Sequence, residues 1–206
     1  KEGIWQLNEV DEAAKYNLKP GEIKLEDVDG DGAYGTADRQ ILGTDVPNWQ
    51  GGITNRMSYK DFDLMFFVYS RWGHMITSSF EQPSLFARYN DLMVDYWTPT
   101  NPTNSNPRPN QNQESPKYGG TRAYVDGSYI KLRTLQIGYN LPASLISAAK
   151  MQSARVYLTA DNPWYFAKYG TFDPETDDPD ISDAPSVGYG TLPATKAFLM
   201  GVQITF

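Results

Sequence analysis

The residues whose spacing carries the most chemistry are Asp27-Val28-Asp29-Gly30-Asp31-Gly32, which match the opening D-x-D-x-D-G of an EF-hand calcium loop. With Asp27 in first place, Asp29 and Asp31 fall third and fifth, Gly32 at the sharp turn, the Ala33 carbonyl seventh, Gly35 ninth and Asp38 twelfth. A hard Ca²⁺ ion takes roughly six to eight oxygens, and carboxylates on a glycine-enforced turn supply its charge. Asp38 departs from the pattern, since its shorter side chain stands where a bidentate Glu is usual, and Gly35 can contribute only through water. Two readings follow: a weak Ca²⁺ site, or an Asx-turn loop carrying bare charge.

Elsewhere the chain is poor in catalytic material and reads as no enzyme. It has no Cys and a single His, which excludes disulfides, thiol nucleophiles and zinc-thiolate sites and leaves His74 without partners for a relay. His74 follows Trp72-Gly73 at the end of a strand and reads as a polar loop residue. The run Asp173, Glu175, Asp177, Asp178, Asp180 and Asp183 has the material for a glycosidase carboxylate pair but reads as a solvated loop. Trp72, Trp97, Trp164 and Tyr165, with Phe166, stand at strand ends or in long loops, where they would stack on sugar rings or form an interfacial girdle. The 25 acidic residues exceed the 18 Lys and Arg, giving a net charge of −7, which argues against nucleic acid as a partner.

The elements that must position these groups are strands. Among 206 residues, 14% are aromatic, with 17 Gly and 14 Pro, a composition of strands and turns. The longest plainly apolar run, Leu64 to Tyr69, is far short of the ~20 residues a membrane helix needs, whereas barrel strands need only alternate. Alternation is clearest from Ala197 to Phe206, where Phe198, Met200, Val202, Ile204 and Phe206 share one face. It recurs from Trp49 to Tyr59, from Phe62 to Trp72 after a tight turn at Lys60-Asp61, and from Ala154 to Ala160. From Ser128 to Tyr139 the apolar phase flips between Leu132 and Leu135, which predicts a bulge near Thr134. A faint strand at Gly3 to Leu7 makes six.

Connections alternate in length. Lys60-Asp61 and 140–150 are short, the second holding a helical turn started by Pro142; 8–48, 73–127 and 168–194 are long. The long ones hold helical candidates at Glu9 to Tyr16 and Ser84 to Trp97 and a low-complexity Pro/Asn-rich stretch from Pro99 to Pro116. Compact domains rarely carry three such loops; outer-membrane barrels carry them on the outside, opposite short periplasmic turns. A soluble β-sandwich meets the same strand pattern, so a secreted calcium-stabilised carbohydrate-binding module stands as the second reading.

Four segments in register resemble the C-terminal part of the SusC/RagA family of TonB-linked outer-membrane transporters. They are GEIKLEDVDGDG from Gly21 to Gly32 with Asp38-Arg39 and Ile41 to Gly43; YVDGSYIKLRTLQIGYNLP from Tyr124 to Pro142; Asp161-Asn162 on to Asp173-Pro174-Glu175; and Leu192-Pro193 with the ending Gly201 to Phe206. The resemblance implies an all-β chain, the last antiparallel strands of a large barrel importing oligosaccharides or peptides. It implies a SusD-like surface lipoprotein as lid, and TonB reached through an N-terminal plug that this chain lacks. A start at Lys1 without a leader pattern reads as a mature or excised piece of something longer, and six strands fall short of the smallest usual barrel of about eight. Phe206, an aromatic ending an alternating strand, resembles the assembly signal of such barrels.

Overall fold

The computed structural model describes residues 3–78, 94–113, 115–148, 150–170, 173–175, 186–187 and 194–206. The chain divides into two compact units. One gathers Lys1–Gly43, Thr77–Val125 and Ser186–Tyr189; the other gathers Thr44–Ile76, Asp126–Pro185 and Gly190–Phe206.

The second unit is built on the alternating segments. Strands β3 (Trp49–Tyr59), β4 (Phe62–Trp72), β7 (Tyr129–Asn140), β8 (Ser153–Ala167) and β10 (Ala197–Thr205) form one antiparallel sheet in the order β10-β8-β7-β4-β3. Each of these strands lies beside its predecessor in the sheet, a meander. Lys60, at φ +54°, makes the tight turn that pairs Tyr59 with Phe62. Between β7 and β8 the chain turns through helix α2 (Ala143–Ala148), whose first turn bonds the Leu145 N–H to the Pro142 carbonyl.

Register puts the apolar residues on a single face. Ile53 opposes Val68, Val68 opposes Leu132, and Leu132 opposes Trp164; lower down, Leu64, Ile137, Leu158 and Met200 make a second row. Arg133 is the extra residue of a bulge, unpaired where Val68 meets Leu132 and Phe67 meets Thr134. The flip in the apolar phase is therefore a bulge one residue from where the pattern puts it. The apolar face is exposed, Phe198 by 72% and Met200 by 79%. A sandwich would bury this face beneath a second sheet, and among the described residues no second sheet covers it, which disfavours the sandwich reading.

The first unit folds around two small clusters. Ile4, Ile23 and Trp97 form one; Trp5, Ala13 and Leu18 form the other, with Tyr16, Tyr34 and Tyr118 packed against it. The expected strand at Gly3 to Leu7 reduces to β1 (Gly3–Ile4), which pairs with β2 (Ile23–Lys24) and takes no place in the large sheet. Helix α1 (Val10–Lys15) follows a 3-10 turn at Leu7–Glu9 and ends at Asn17, whose φ of +54° lets the Leu18 N–H reach the Ala13 carbonyl. Thr77 and Ser78 of β5 (Met75–Ser78) pair in parallel with β9 (Ser186–Val187), and β6 (Tyr124–Asp126) precedes β7 in the chain.

The described residues of the Pro/Asn-rich stretch are hydrogen-bonded into the first unit. Asn104 Oδ1 accepts the Ile4 N–H at 3.0 Å, the Arg108 N–H donates to the Gly21 carbonyl at 2.8 Å, and Arg122 donates to Asn106 Oδ1 at 2.8 Å. Asn side chains here serve as backbone partners that an irregular chain cannot find in a ladder. Most of the helix expected from Ser84 to Trp97 lies outside the described residues; its described end is not helical, since Tyr96 bridges to Asn106.

Candidate functional site

The aspartate loop folds around its own backbone. Asp27 Oδ1 accepts the Gly30 N–H at 2.8 Å and Oδ2 the Gly32 N–H at 3.0 Å, with both glycines at positive φ. Asp38 closes the loop from the far end, taking the Val28 N–H at 2.8 Å and the Gly35 N–H at 2.6 Å. Oxygens of Asp27, Asp29 and Asp38 converge within 4.8 Å of one another. Asp31 is outside that group; its Oδ1 accepts the Ala33 N–H at 2.8 Å. The donor set, all hard carboxylate oxygen, suits Ca²⁺ or Mg²⁺ and not a soft metal. The Asp31 bond to Ala33 is an Asx turn, and the Asp27 and Asp38 bonds close the loop on its own backbone without an ion, so both readings of the loop fit its geometry.

Tyr16 ties this loop to the aromatic cluster. Its hydroxyl donates to Asp27 Oδ2 at 3.0 Å, and its ring stacks on Tyr34 at 4.3 Å and on Trp5 at 5.8 Å. Burial acts to raise the Asp27 carboxyl, but the N–H groups of Gly32 and Gly30 and the Tyr16 hydroxyl outweigh it and hold it below the usual carboxylate range.

The large sheet carries a second constellation on its polar face. Arg155 on β8 reaches over Gly138 on β7 to Asp63 on β4, bonding through Nε at 2.9 Å and Nη2 at 2.6 Å. Nη2 also donates to Gln136 Oε1 at 3.2 Å, and Gln136 donates onward to Thr159 Oγ1 at 2.9 Å. Toward the other end of β7, Lys131 is buried against Asp173, and Arg133 bonds Glu175 at 2.8 Å while its guanidinium lies 4.2 Å from the centre of the Tyr69 ring. None of these pairs was singled out from the sequence, although strand parity puts Asp63, Lys131 and Arg155 together opposite the apolar stripe.

Among the expected aromatic site residues, Trp97 stands elsewhere than foreseen. Trp97 is 4% exposed, packed on Ile4 and Ile23 with its Nε1 donating to Gln6 Oε1 at 2.9 Å, so it is core and offers no ring to a ligand. Trp164 is exposed on the apolar face, whereas Tyr165 points to the polar one; Trp72 lies under the Lys168 ammonium at 5.0 Å. Phe206 is exposed just beyond β10. His74 stands in the link between β4 and β5, as expected of a loop residue, but it is buried, with Gly127 packed against the imidazole and the Tyr129 ring 6.4 Å away. Asp173 is buried and Glu175 is paired, which corrects the solvated reading for this part of the acidic run; Asp177, Asp178, Asp180 and Asp183 lie outside the described residues.

No protein-family model matches the sequence. Among curated proteins the chain is 34% identical over 194 residues to TonB-dependent receptor P3 of Formosa agariphila, a match covering 91% of this chain and 19% of that protein. It is 28% identical over 215 residues to TonB-dependent receptor P26 of the same organism, covering 99% of this chain and 22% of that protein. With TonB-dependent receptor SusC of Bacteroides thetaiotaomicron the identity is 23% over 199 residues, covering 92% of this chain and 18% of SusC. The chain thus spans about one fifth of the length of the curated relatives it matches. Among solved structures, the RagAB peptide importer in its open-open state superposes with a TM-score of 0.63 at 24% identity, over 88% of this chain and 20% of that one. In the closed-closed state the TM-score is 0.61.

Proposed function

We propose that this chain, which belongs to the SusC/RagA-type TonB-dependent receptors, supplies consecutive staves and outer loops of an outer-membrane barrel that imports a nutrient. The observation that carries this reading is the sheet with two unlike faces: an exposed apolar face continuous across five strands, and an ion-paired polar face behind it. Lipid covers the first, and the second lines the lumen. Trp49 and Trp72 face each other at one end of the β3–β4 hairpin and Tyr59 and Phe62 at the other, a spacing suited to two interfacial girdles.

The turns at Lys60-Asp61 and 140–150 face the periplasm and the long connections face outward, since every strand reverses direction. The cargo is an oligosaccharide or a peptide, the second supported by the likeness to a peptide importer. A SusD-like surface lipoprotein covers the mouth, and TonB engages a part of the receptor that this chain does not span. The loop from Asp27 to Asp38 holds a Ca²⁺ ion on Asp27, Asp29 and Asp38, stiffening the outer surface.

The full-length receptor tests this reading. It should require detergent for extraction from cell envelopes, and an epitope inserted after Asn112 should bind antibody on intact cells while one at Lys60-Asp61 binds only after permeabilisation. Recovery in a soluble secreted fraction refutes the barrel, and the reverse pattern of epitopes inverts the topology.

A further inference from the structure

Asp173 is 3% exposed and Lys131 1%. Lys131 Nζ donates to both oxygens of Asp173, at 2.9 and 3.0 Å. The same carboxylate takes two backbone donors: the Glu175 N–H at 3.0 Å on Oδ1 and the Ala194 N–H at 2.9 Å on Oδ2. Residues 175 and 194 are therefore held on one side chain, so the chain leaves and returns at a single point. That point is on the polar face of β7. Lys131 lies two residues inside Tyr129, where β7 begins, hence roughly 7 Å along the strand from that end at about 3.3 Å per residue.

Glu175 locks the same place from the other side. It pairs with Lys131 at 3.1 Å and with Arg133 at 2.8 Å, and it accepts the Tyr129 hydroxyl at 3.1 Å. Three donors from consecutive polar-face positions of one strand thus converge on two carboxylates separated by Pro174.

We infer that Asp173 is a clasp, fixing Glu175 and Ala194 together on Lys131 at the inner wall, so that these two points of the chain between β8 and β10 are anchored on the lumen side of β7 and not at its outer end. The inference rests on the barrel reading, in which the polar face is the lumen. The chemistry asks for an aspartate at this position. Two oxygens must accept an ammonium and two backbone N–H groups together, which neither an amide nor a reversed charge can do. Burial of the pair keeps water from taking over those bonds.

The chain has no Cys, so single cysteines introduced into a full-length receptor without other thiols report on the clasp. Pro174→Cys is treated with a bulky maleimide on intact cells. Its labelling should quicken about tenfold or more when Lys131→Met is added, since a charge-assisted contact is worth at least that factor. Labelling should stay fast in the Lys131→Asp, Asp173→Lys double variant, because a lysine at 173 cannot accept the two N–H groups. Equal labelling in all backgrounds overturns the clasp, and protection restored by the reversed pair reduces it to an ordinary ion pair.

Where Lys131→Met yields no folded, heat-modifiable receptor, Ala194→Pro takes its place, deleting one donor and leaving the ion pair. Faster labelling is expected, and an unchanged rate overturns the proposal. Met200→Cys, on the apolar face, separates the two levels: lipid should keep it silent until detergent is added. Rapid labelling there in intact membranes refutes the barrel reading itself, whatever Pro174→Cys does.

Discussion

Gly138 offers the sharpest test of the polar face. A Cβ at this position would meet the Arg155 guanidinium and the Asp63 carboxylate together, and both are ends of side chains, not backbone. Gly138→Ala should therefore leave the strands in register and prise the pair apart. A bidentate pair is at the strong end of such contacts, roughly 1.5–3 kcal/mol when shielded, against about 0–1 kcal/mol at an open surface. With side chains 23% and 30% exposed, this one falls between, at about 1–2 kcal/mol. Alanine is itself better than glycine inside a strand by roughly 0.5–1 kcal/mol. The net cost in the native background is thus about 1 kcal/mol or less. In an Arg155→Met background, where no pair is left to break, the same substitution should stabilise. The assay is the folded fraction of purified receptor against denaturant, read by heat-modifiable mobility in all four members of the cycle. A coupling of about 1–2 kcal/mol, equal to the pair itself, with a reversal of sign is expected. The same sign in both backgrounds refutes the claim that glycine is there to let Arg155 pass.

The aspartate loop makes two further predictions. Asp29→Asn with Asp38→Asn removes two of the three converging carboxylates and should weaken Ca²⁺ binding, from a starting Kd on the order of 10⁻⁴–10⁻³ M, by tenfold or more; terbium luminescence or calorimetry that detects no change leaves the Asx-turn reading standing. Asp27 and Glu9 both titrate below the usual carboxylate range, the second through Lys24 and the Gln6 N–H. A depressed carboxyl stabilises the fold fully above its unfolded value, about 3.9–4.3, and loses that contribution as pH falls through the folded value. Amide exchange at Gly30 and Gly32 should therefore stay protected from pH 7 to about 5, after correction for intrinsic rates, and rise only below about pH 4; loosening already between pH 7 and 5 would contradict the assignment.

Much of the large sheet was legible because its determinants are local. A period of two sets each face, and a two-residue turn sets the β3–β4 register. A bulge shows itself as a phase flip in the apolar residues, here between Leu132 and Leu135. What escaped reading is non-local. Asp173 looks like one acid among six, and nothing near it in sequence announces Lys131, 42 residues away. Trp97 looks like a loop aromatic until Ile4 and Ile23 are brought to it from the far end of the chain. The aspartate loop was legible as a turn and not as a metal site, because the same N–H to carboxylate bonds build either.

The bulge at Arg133 joins the two halves of the polar face, and its position follows from what each half must carry. Above it, Lys131 is on the polar face and Ile130 and Leu132 on the apolar one; below it, Gln136 and Gly138 are polar-facing and Leu135 and Ile137 apolar. A regular strand cannot hold both sets, because a fixed period of two would carry Leu135 and Ile137 into the lumen and Gly138 out toward lipid. Arg155 would then have no glycine to reach across, and Asp63 no partner on β8. One extra residue restores the phase, and that residue is itself used, since Arg133 swings to the polar side to meet Glu175 and the Tyr69 ring. On β8 the compensating irregularity falls opposite, at Asn162 and Pro163, where Asn162 takes φ +50°. The clasp at one end of β7 and the Asp63–Arg155 pair at the other are therefore not independent features: both depend on the strand changing phase between them while its lipid face stays unbroken.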